Sequence, residues 1–228
     1  MSTDRAVAGR SNVAVLSPRA DATRQALLQA ATECFAERGF AATTTRAIAA
    51  RAGVSQPLLN HYFGSKDALF EAIIRDLIED YAVAQSEQWD RSDDDVAFFT
   101  EGLRVMFYWV GSDPLRIRLM TWARLEGRVV VPESAMRLTA IVQQRFVAAQ
   151  RHGILRADID LEAALWLADV LFKGYWERRE TYTSADAADT ADDERFFAMA
   201  MRTFIDGLMT PQAGQRAREL LAASRGPA

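Results

Sequence analysis

A single cysteine, Cys34, in 228 residues leaves nothing from which to build a disulfide framework and fits a reducing compartment. Histidine is almost as scarce. His61 and His152 stand far apart, and no Cys, His and acidic residues fall at a metal-ligand spacing. The chain also lacks a phosphate-cradling glycine motif, an internal repeat and any strand-like alternation of useful length. No apolar run approaches the length that spans a bilayer, and the first residues lack the basic-then-apolar order of a signal peptide. These absences argue against an enzyme, a cofactor, a metal centre or a membrane protein. They leave a cytoplasmic binding protein as the expectation.

What is present is helical and unevenly charged. Hydrophobic residues make up 50% and charged residues 25% of the chain, an ordinary balance for a globular protein. The net charge is −4, yet up to Gly64 seven arginines face only four acids, so the acidic excess lies entirely beyond that point. A basic head on an acidic body suits nucleic-acid contact at one end.

Residues 1–20, rich in Ala, Ser, Arg and Gly, read as a mobile tail. Arg5 and Arg10 read as solvated, while Arg19 stands between that role and a basic arm on DNA. A first helix is predicted from Asp21 to Gly39. Leu27, Leu28, Ala31, Cys34 and Phe35 form its buried face, Gly39 stands at C′, and Phe40 folds back on the last turn.

The stretch from Thr43 to Lys66 then reads as two short helices joined by a tight turn. Thr44 or Thr45 caps the first, and Ala49 is small enough for a close crossing. Gly53 supplies a left-handed turn, Ser55 caps the second helix, and Pro57 falls in its first turn. Val54, Leu59 and Tyr62 carry the apolar pattern, which makes a helix-turn-helix. Its second helix is expected to enter the major groove. Gln56 has the amide geometry for adenine, Pro57 and Leu58 suit a thymine methyl, and Asn60 repeats the amide on a shorter arm. Arg46 suits either guanine or phosphate, and Lys66, behind the capping Ser65, suits phosphate. A solvated face is an equal reading for Asn60 and His61, and Tyr62 also fits the core.

AATECFAERGFAATTTRAIAARAGVSQPLLNHYFGSKDALFEAI resembles the DNA-binding domain of the tetracycline-repressor (TetR/AcrR-type) family of bacterial transcription regulators, over about Thr23 to Ile74. Gly39-Phe40, Thr44-Thr45, Ala49, Ala52-Gly53-Val54-Ser55, Tyr62-Phe63 and Ser65-Lys66 stand where the family has them, and Gln56-Pro57 opens the recognition helix as in its founding branch. Two positions depart: Leu58 replaces a common phosphate-touching Thr, and Asn60 a usual Tyr. The resemblance implies an all-α protein with a three-helix reading head at 21–66 and a larger helical effector-binding and dimerisation domain at 67–228. It implies backbone contacts from Thr44, Thr45, His61 and Tyr62, and a repressor that a small molecule releases from a palindromic double-stranded operator. A helical ligand-binding or interaction protein without specific DNA binding is the alternative.

Further helices are expected at 66–88, 96–110, 115–127, 132–152, 160–180, 194–209 and 211–223, with a loop at 184–193. Ser92 to Asp95 reads as a helix start rather than a metal site, because consecutive acids point to different sides of a helix. The helices at 160–180 and 194–209 carry apolar residues on two faces, one for the core and one for a second copy in a four-helix bundle. Gly174, Ala200 and Gly207 would permit close approach. The family commonly binds its effector in the body. Met106, Trp109, Met120, Trp122, Gln143 and Trp166, with Tyr108, are candidates to line such a pocket, and Arg116, Arg124, Glu126 and Arg145 to fix a polar end. Each aromatic taken singly reads as core; the signal is that all five tryptophans lie beyond residue 88.

Overall fold

A computed structural model of the chain describes residues 18–89, 94–129, 131–182 and 190–224. Among them ten helices follow in order: α1 (Pro18–Ala42), α2 (Thr45–Arg51), α3 (Gln56–Phe63), α4 (Lys66–Trp89), α5 (Asp95–Gly111), α6 (Pro114–Leu125), α7 (Glu133–Arg151), α8 (Leu161–Tyr182), α9 (Ala191–Leu208) and α10 (Pro211–Ser224). The described residues contain no strand. An isolated antiparallel bridge, Leu155 with Met209, ties the α7–α8 connection to the α9–α10 turn.

Helix boundaries follow local chemistry, and those of α1 and α9 depart furthest from expectation. α1 starts at Pro18, so the last three residues of the expected tail are helical. Proline suits a helix start, where its missing N–H costs nothing and its φ is already set. α1 breaks at Gly39 (φ 77°, ψ 175°), a conformation open essentially only to glycine, and then makes one more turn to Ala42. α9 begins at Ala191, inside the expected loop, whose residues 184–189 lie outside the described set. Asp192, Asp193 and Glu194 fill its first turn, where the helix dipole favours acids. Asp193 is buried there, accepting from the Tyr175 hydroxyl at 2.6 Å and from Arg179 Nε and Nη2 at 2.7 and 2.9 Å. Of the acidic run before α5, Ser92 and Asp93 are outside the described residues. Asp94 caps α5, accepting from Val96 N at 3.0 Å, and also pairs with Arg216.

Two cores form. The body core gathers Phe107, Phe146, Phe172, Phe197, Met201 and Phe204 from α5, α7, α8 and α9, with Ala213 and Ala217 of α10. Trp176 fastens α8 to α5: its indole N–H donates to Phe107 O at 2.9 Å, and its ring lies where a Cβ on Gly111 would stand, 2.0 Å away. The head core joins Leu27, Ala31, Cys34, Phe35 and Phe40 of α1 to Ile48, Ala49 and Leu59 of the helix-turn-helix. Burial pushes the Cys34 thiol above its ordinary pKa, as expected of a packing residue.

The head core does not stop at Lys66. Leu69, Phe70, Ile73 and Ile74 of α4 and Leu119 and Ala123 of α6 belong to it. Phe70 meets Phe35 and Phe40 edge-on, with centroids 5.1 and 5.3 Å apart. The expected division at residue 66 therefore corresponds to no break in packing. The apolar face of α4 serves the head along its first two turns, and α6 reaches across from the body.

Candidate functional site

The helix-turn-helix forms for the reasons its residues suggest. Thr44 is the N-cap of α2, its hydroxyl accepting from Ala47 N at 3.2 Å. Gly53 takes φ 69°, and Val54 N closes the turn on Ala49 O at 3.0 Å. Leu59 is fully buried against α1 and α2 and fixes the roll of α3. Ser55 occupies the N-cap position of α3 but makes no side-chain capping bond. Gly64, at φ 74°, ends α3 with its N–H on Asn60 O at 2.8 Å. A glycine directly before the Ser65 cap is the local stop signal for α3.

This arrangement turns Arg46, Gln56, Pro57, Leu58, Asn60 and His61 outward together. Leu58 is 36% exposed, a large apolar side chain left in water on the face that Leu59 keeps outward. Gln56 is not free: its Nε2 donates to Thr45 Oγ1 at 3.0 Å, so one residue of α2 sets the direction of the first amide of α3. Tyr62 is half-buried beside the core and meets the His61 ring edge-on.

Lys66 has a different setting from the free phosphate clamp expected. Its Nζ donates to Phe40 O and Thr43 O, each at 2.9 Å, and stands 4.1 Å from the centre of the Phe40 ring. The turn between α1 and α2 exposes carbonyls that no helix satisfies, and a cation at the start of α4 is the nearest donor. Two of its three protons are thereby committed within the protein.

The other side of the same turn is held from the body. Glu126, at the end of α6, accepts from Phe40 N at 2.9 Å and Ala41 N at 3.2 Å. Arg118 Nε donates to Ala36 O at 3.1 Å, and Arg128 reaches Asp67 at 2.8 Å while lying 3.5 Å from the Phe40 ring centre. Trp122 packs against Gly39, where an added Cβ would come within 2.8 Å of its ring. Glu126 and Trp122, expected around an effector, thus face the head instead.

A cavity of about 410 Å³ opens between α4, α6 and α8. Ile74, Leu77 and Ile78 form one wall, Ile117, Met120 and Ala123 a second, and Val129 and Val170 close the apolar part. Asp169, Lys173, Glu177, Arg178 and Arg124 bring charge to its rim. The six candidate pocket residues do not assemble there: only Met120 lines it. Met106 packs on the body core. Trp109 lies against Tyr81, centroids 4.9 Å apart, with the Arg116 guanidinium 4.1 Å from its ring centre. Gln143 sits in a groove on the outer face of α7, and Trp166 is 69% exposed on α8. Of the expected polar end, Arg124 lines the cavity, whereas Arg145 pairs with Asp95 at 3.4 Å. The wall residues outside the candidate set lie on all three helices: Ile74, Leu77 and Ile78 on α4, Ile117 and Ala123 on α6, and Val170 on α8.

Comparison with known proteins fits this geometry. Residues 27–73 match the family model described as bacterial regulatory proteins, tetR family. The HTH-type transcriptional regulator UidR of Escherichia coli K12 is 28% identical over 198 residues, covering 86% of this chain and 97% of that protein. The HTH-type transcriptional repressor Rv3405c of Mycobacterium tuberculosis is 55% identical over 49 residues, 22% of this chain and 26% of that protein. A gamma-butyrolactone receptor (ArpA-like protein) shares the fold with a TM-score of 0.67 at 22% identity, over 90% of this chain and 97% of that one. The ketosteroid transcriptional regulator KstR2 of Mycobacterium tuberculosis does so with a TM-score of 0.63 at 17% identity, over 82% and 95%. The matched segment is the helix-turn-helix with its bracing helices, so residues 27–73 form a DNA-binding domain of the tetR type, and the likeness to UidR continues through the body.

Proposed function

We propose that the chain is a cytoplasmic, ligand-responsive transcriptional repressor rather than an enzyme, which binds a palindromic operator as a homodimer and leaves it when a small molecule fills the cavity between α4, α6 and α8. One observation carries the coupling. Ile74 of α4 and Ala123 of α6 each belong both to the head core and to the cavity wall. A ligand seated between those helices therefore presses on side chains that are also part of the head core. The ligand shifts the equilibrium only by its difference in affinity for the two head positions. A cavity of about 410 Å³ falls within the usual range of about 300–1,000 Å³ for small-molecule sites.

Dimerisation through α8 and α9 is supported by what those helices leave in water. Trp166 (69% exposed) and Leu167 of α8 and Met199 of α9 are large apolar side chains left exposed, while Phe172, Phe197 and Phe204 on the same helices are buried. A two-fold axis there would give two heads, reading half-sites about 34–36 Å apart if they lie one DNA turn apart. In this reading Gln56, Leu58 and Asn60 meet base edges. Arg46, Thr44, Thr45, His61 and Tyr62 hold the backbone, and Lys66 adds its third proton. Footprinting on the chain's own upstream region, with competitor DNA present, tests the proposal. A protected two-fold symmetric site is expected, and protection that vanishes with competitor would overturn it.

A further inference from the structure

The rim of the cavity allows the class of effector to be named, granted that the cavity is the effector site. Three cations and two carboxylates line it. Both carboxylates already have partners: Lys173 Nζ lies 2.7 Å from Asp169 Oδ1 and 2.9 Å from Oδ2. Glu177 Oε1 accepts from Thr121 Oγ1 at 2.8 Å and from Arg124 Nη2 at 3.2 Å. Arg178 is the cation left over, with no ion-pair partner among the described residues. Its guanidinium folds back along α8 over Gly174, Nη1 lying 3.6 Å from where a Cβ on that glycine would stand. The absence of a side chain at 174 leaves space beside the guanidinium, within the cavity lining.

Apart from Thr121, whose hydroxyl is spent on Glu177, the rest of the wall is aliphatic or thioether, with Ile74, Leu77, Ile78, Ile117, Met120 and Val170 as its large side chains. Such a wall rewards apolar area and offers little to a sugar or a polyol, whose hydroxyls would lose water without gaining partners. We infer that the effector is an anionic amphiphile, an apolar body bearing one carboxylate, with Arg178 taking the carboxylate through paired N–H···O bonds. Arginine suits this geometry because its planar fork matches the two oxygens. A cationic amphiphile is disfavoured, because it would have to displace Lys173 or Arg124 from its carboxylate before finding a counter-charge.

The test is displacement of Nile red, a neutral apolar fluorophore, from the full-length chain by decanoate and by 1-decanol, both below micellar concentration. The same titrations are run on Arg178→Gln and Met120→Trp, with helix content measured on each variant. Decanoate is expected to displace the dye at a concentration about tenfold or more below 1-decanol. Arg178→Gln should raise the decanoate midpoint to that of 1-decanol and leave 1-decanol unchanged, while Met120→Trp should weaken both. If decanoate and 1-decanol are equal on the native chain, or Arg178→Gln keeps the preference, the carboxylate assignment is wrong while the cavity still binds apolar ligands. If Nile red and both competitors ignore Met120→Trp, the cavity is not the ligand site, and both readings fall together.

Discussion

Removing the Glu126 carboxylate measures how firmly the body holds the reading head. Glu126 caps two backbone N–H groups of the α1–α2 turn, from Phe40 at 2.9 Å and Ala41 at 3.2 Å. Phe40 is a buried residue, 5% exposed, so its N–H has little access to replacement water. A hydrogen bond to a charged group contributes about 1.5–3 kcal/mol, and an orphaned buried donor costs a similar amount. Ala41 is exposed, and water replaces its longer bond at small cost. Glu126→Ala should therefore lower stability by about 2 kcal/mol, and Glu126→Gln, which keeps a carbonyl acceptor, by about half as much. Urea denaturation should show the midpoint falling at unchanged slope, since the surface exposed on unfolding hardly changes. Amide exchange supplies the local readout: the Phe40 N–H should exchange faster in both variants. A stability loss within about 0.5 kcal/mol, the range of an ordinary surface substitution, with Phe40 still protected would refute the latch.

Gly111→Ala places a Cβ 2.0 Å from the Trp176 ring, which its bond to Phe107 O holds in place, and should cost about 3 kcal/mol or more. Gly102→Ala, in the same helix, meets only Gln85 Oε1 at 3.6 Å and should be neutral or stabilising in the same denaturation experiment. Burial pushes the Tyr81 phenol from 10.0 up to about 12, and burial with an accepting carboxylate raises Tyr108 and Tyr175 further. The folded chain thus favours neutral phenols: this stability is complete below pH 10 and is lost as pH rises through the raised values. Ultraviolet titration should show these tyrosines ionising only as helix content falls, and ionisation near 10.0 in the folded chain would contradict it. Gln56→Ala should cost about 1–3 kcal/mol of operator binding, confined to one base position, and Thr45→Val should relax the same position less. Equal losses on specific and random DNA would argue against base reading. Lys66→Met should lower folding stability by about 1.5–3 kcal/mol and, through loss of the third proton's phosphate contact, flatten the salt dependence of DNA binding by up to about one charge.

The helix-turn-helix was legible because its requirements are local. Gly53, Pro57, Thr44 and the buried Ile48, Ala49 and Leu59 each answer to the conformation of a few neighbours, and the structure places all six as their chemistry suggests. The buried stripes of α8 and α9 were legible for the same reason, since period 3.6 survives whatever lies opposite. The effector cavity was not. It exists where three helices fail to fill the space between them, and a sequence records what each helix carries but not which faces are left apart. Tryptophan looked like a pocket-forming residue, yet Trp109, Trp122 and Trp176 are spent on Arg116, Gly39 and Gly111, where large flat rings close gaps between helices.

Glu126 and Lys66 show the same limit for charge. Read singly, a glutamate at the end of a body helix suggests a ligand contact, and a lysine after a recognition helix suggests a phosphate contact. In the folded chain both close on the same turn: Glu126 takes its N–H groups and Lys66 its carbonyls. The turn between α1 and α2 is thus fastened to α6 by an anion and to α4 by a cation, and α4 and α6 are two of the three helices that line the cavity. A displacement of either helix must pull on that turn or break a charge-assisted bond to it. The polar contacts and the shared apolar residues Ile74 and Ala123 therefore join the cavity helices to the head at two places, the α1–α2 turn and the head core. In physical terms, the sequence separation of 86 residues between Phe40 and Glu126 is why no local pattern announced it.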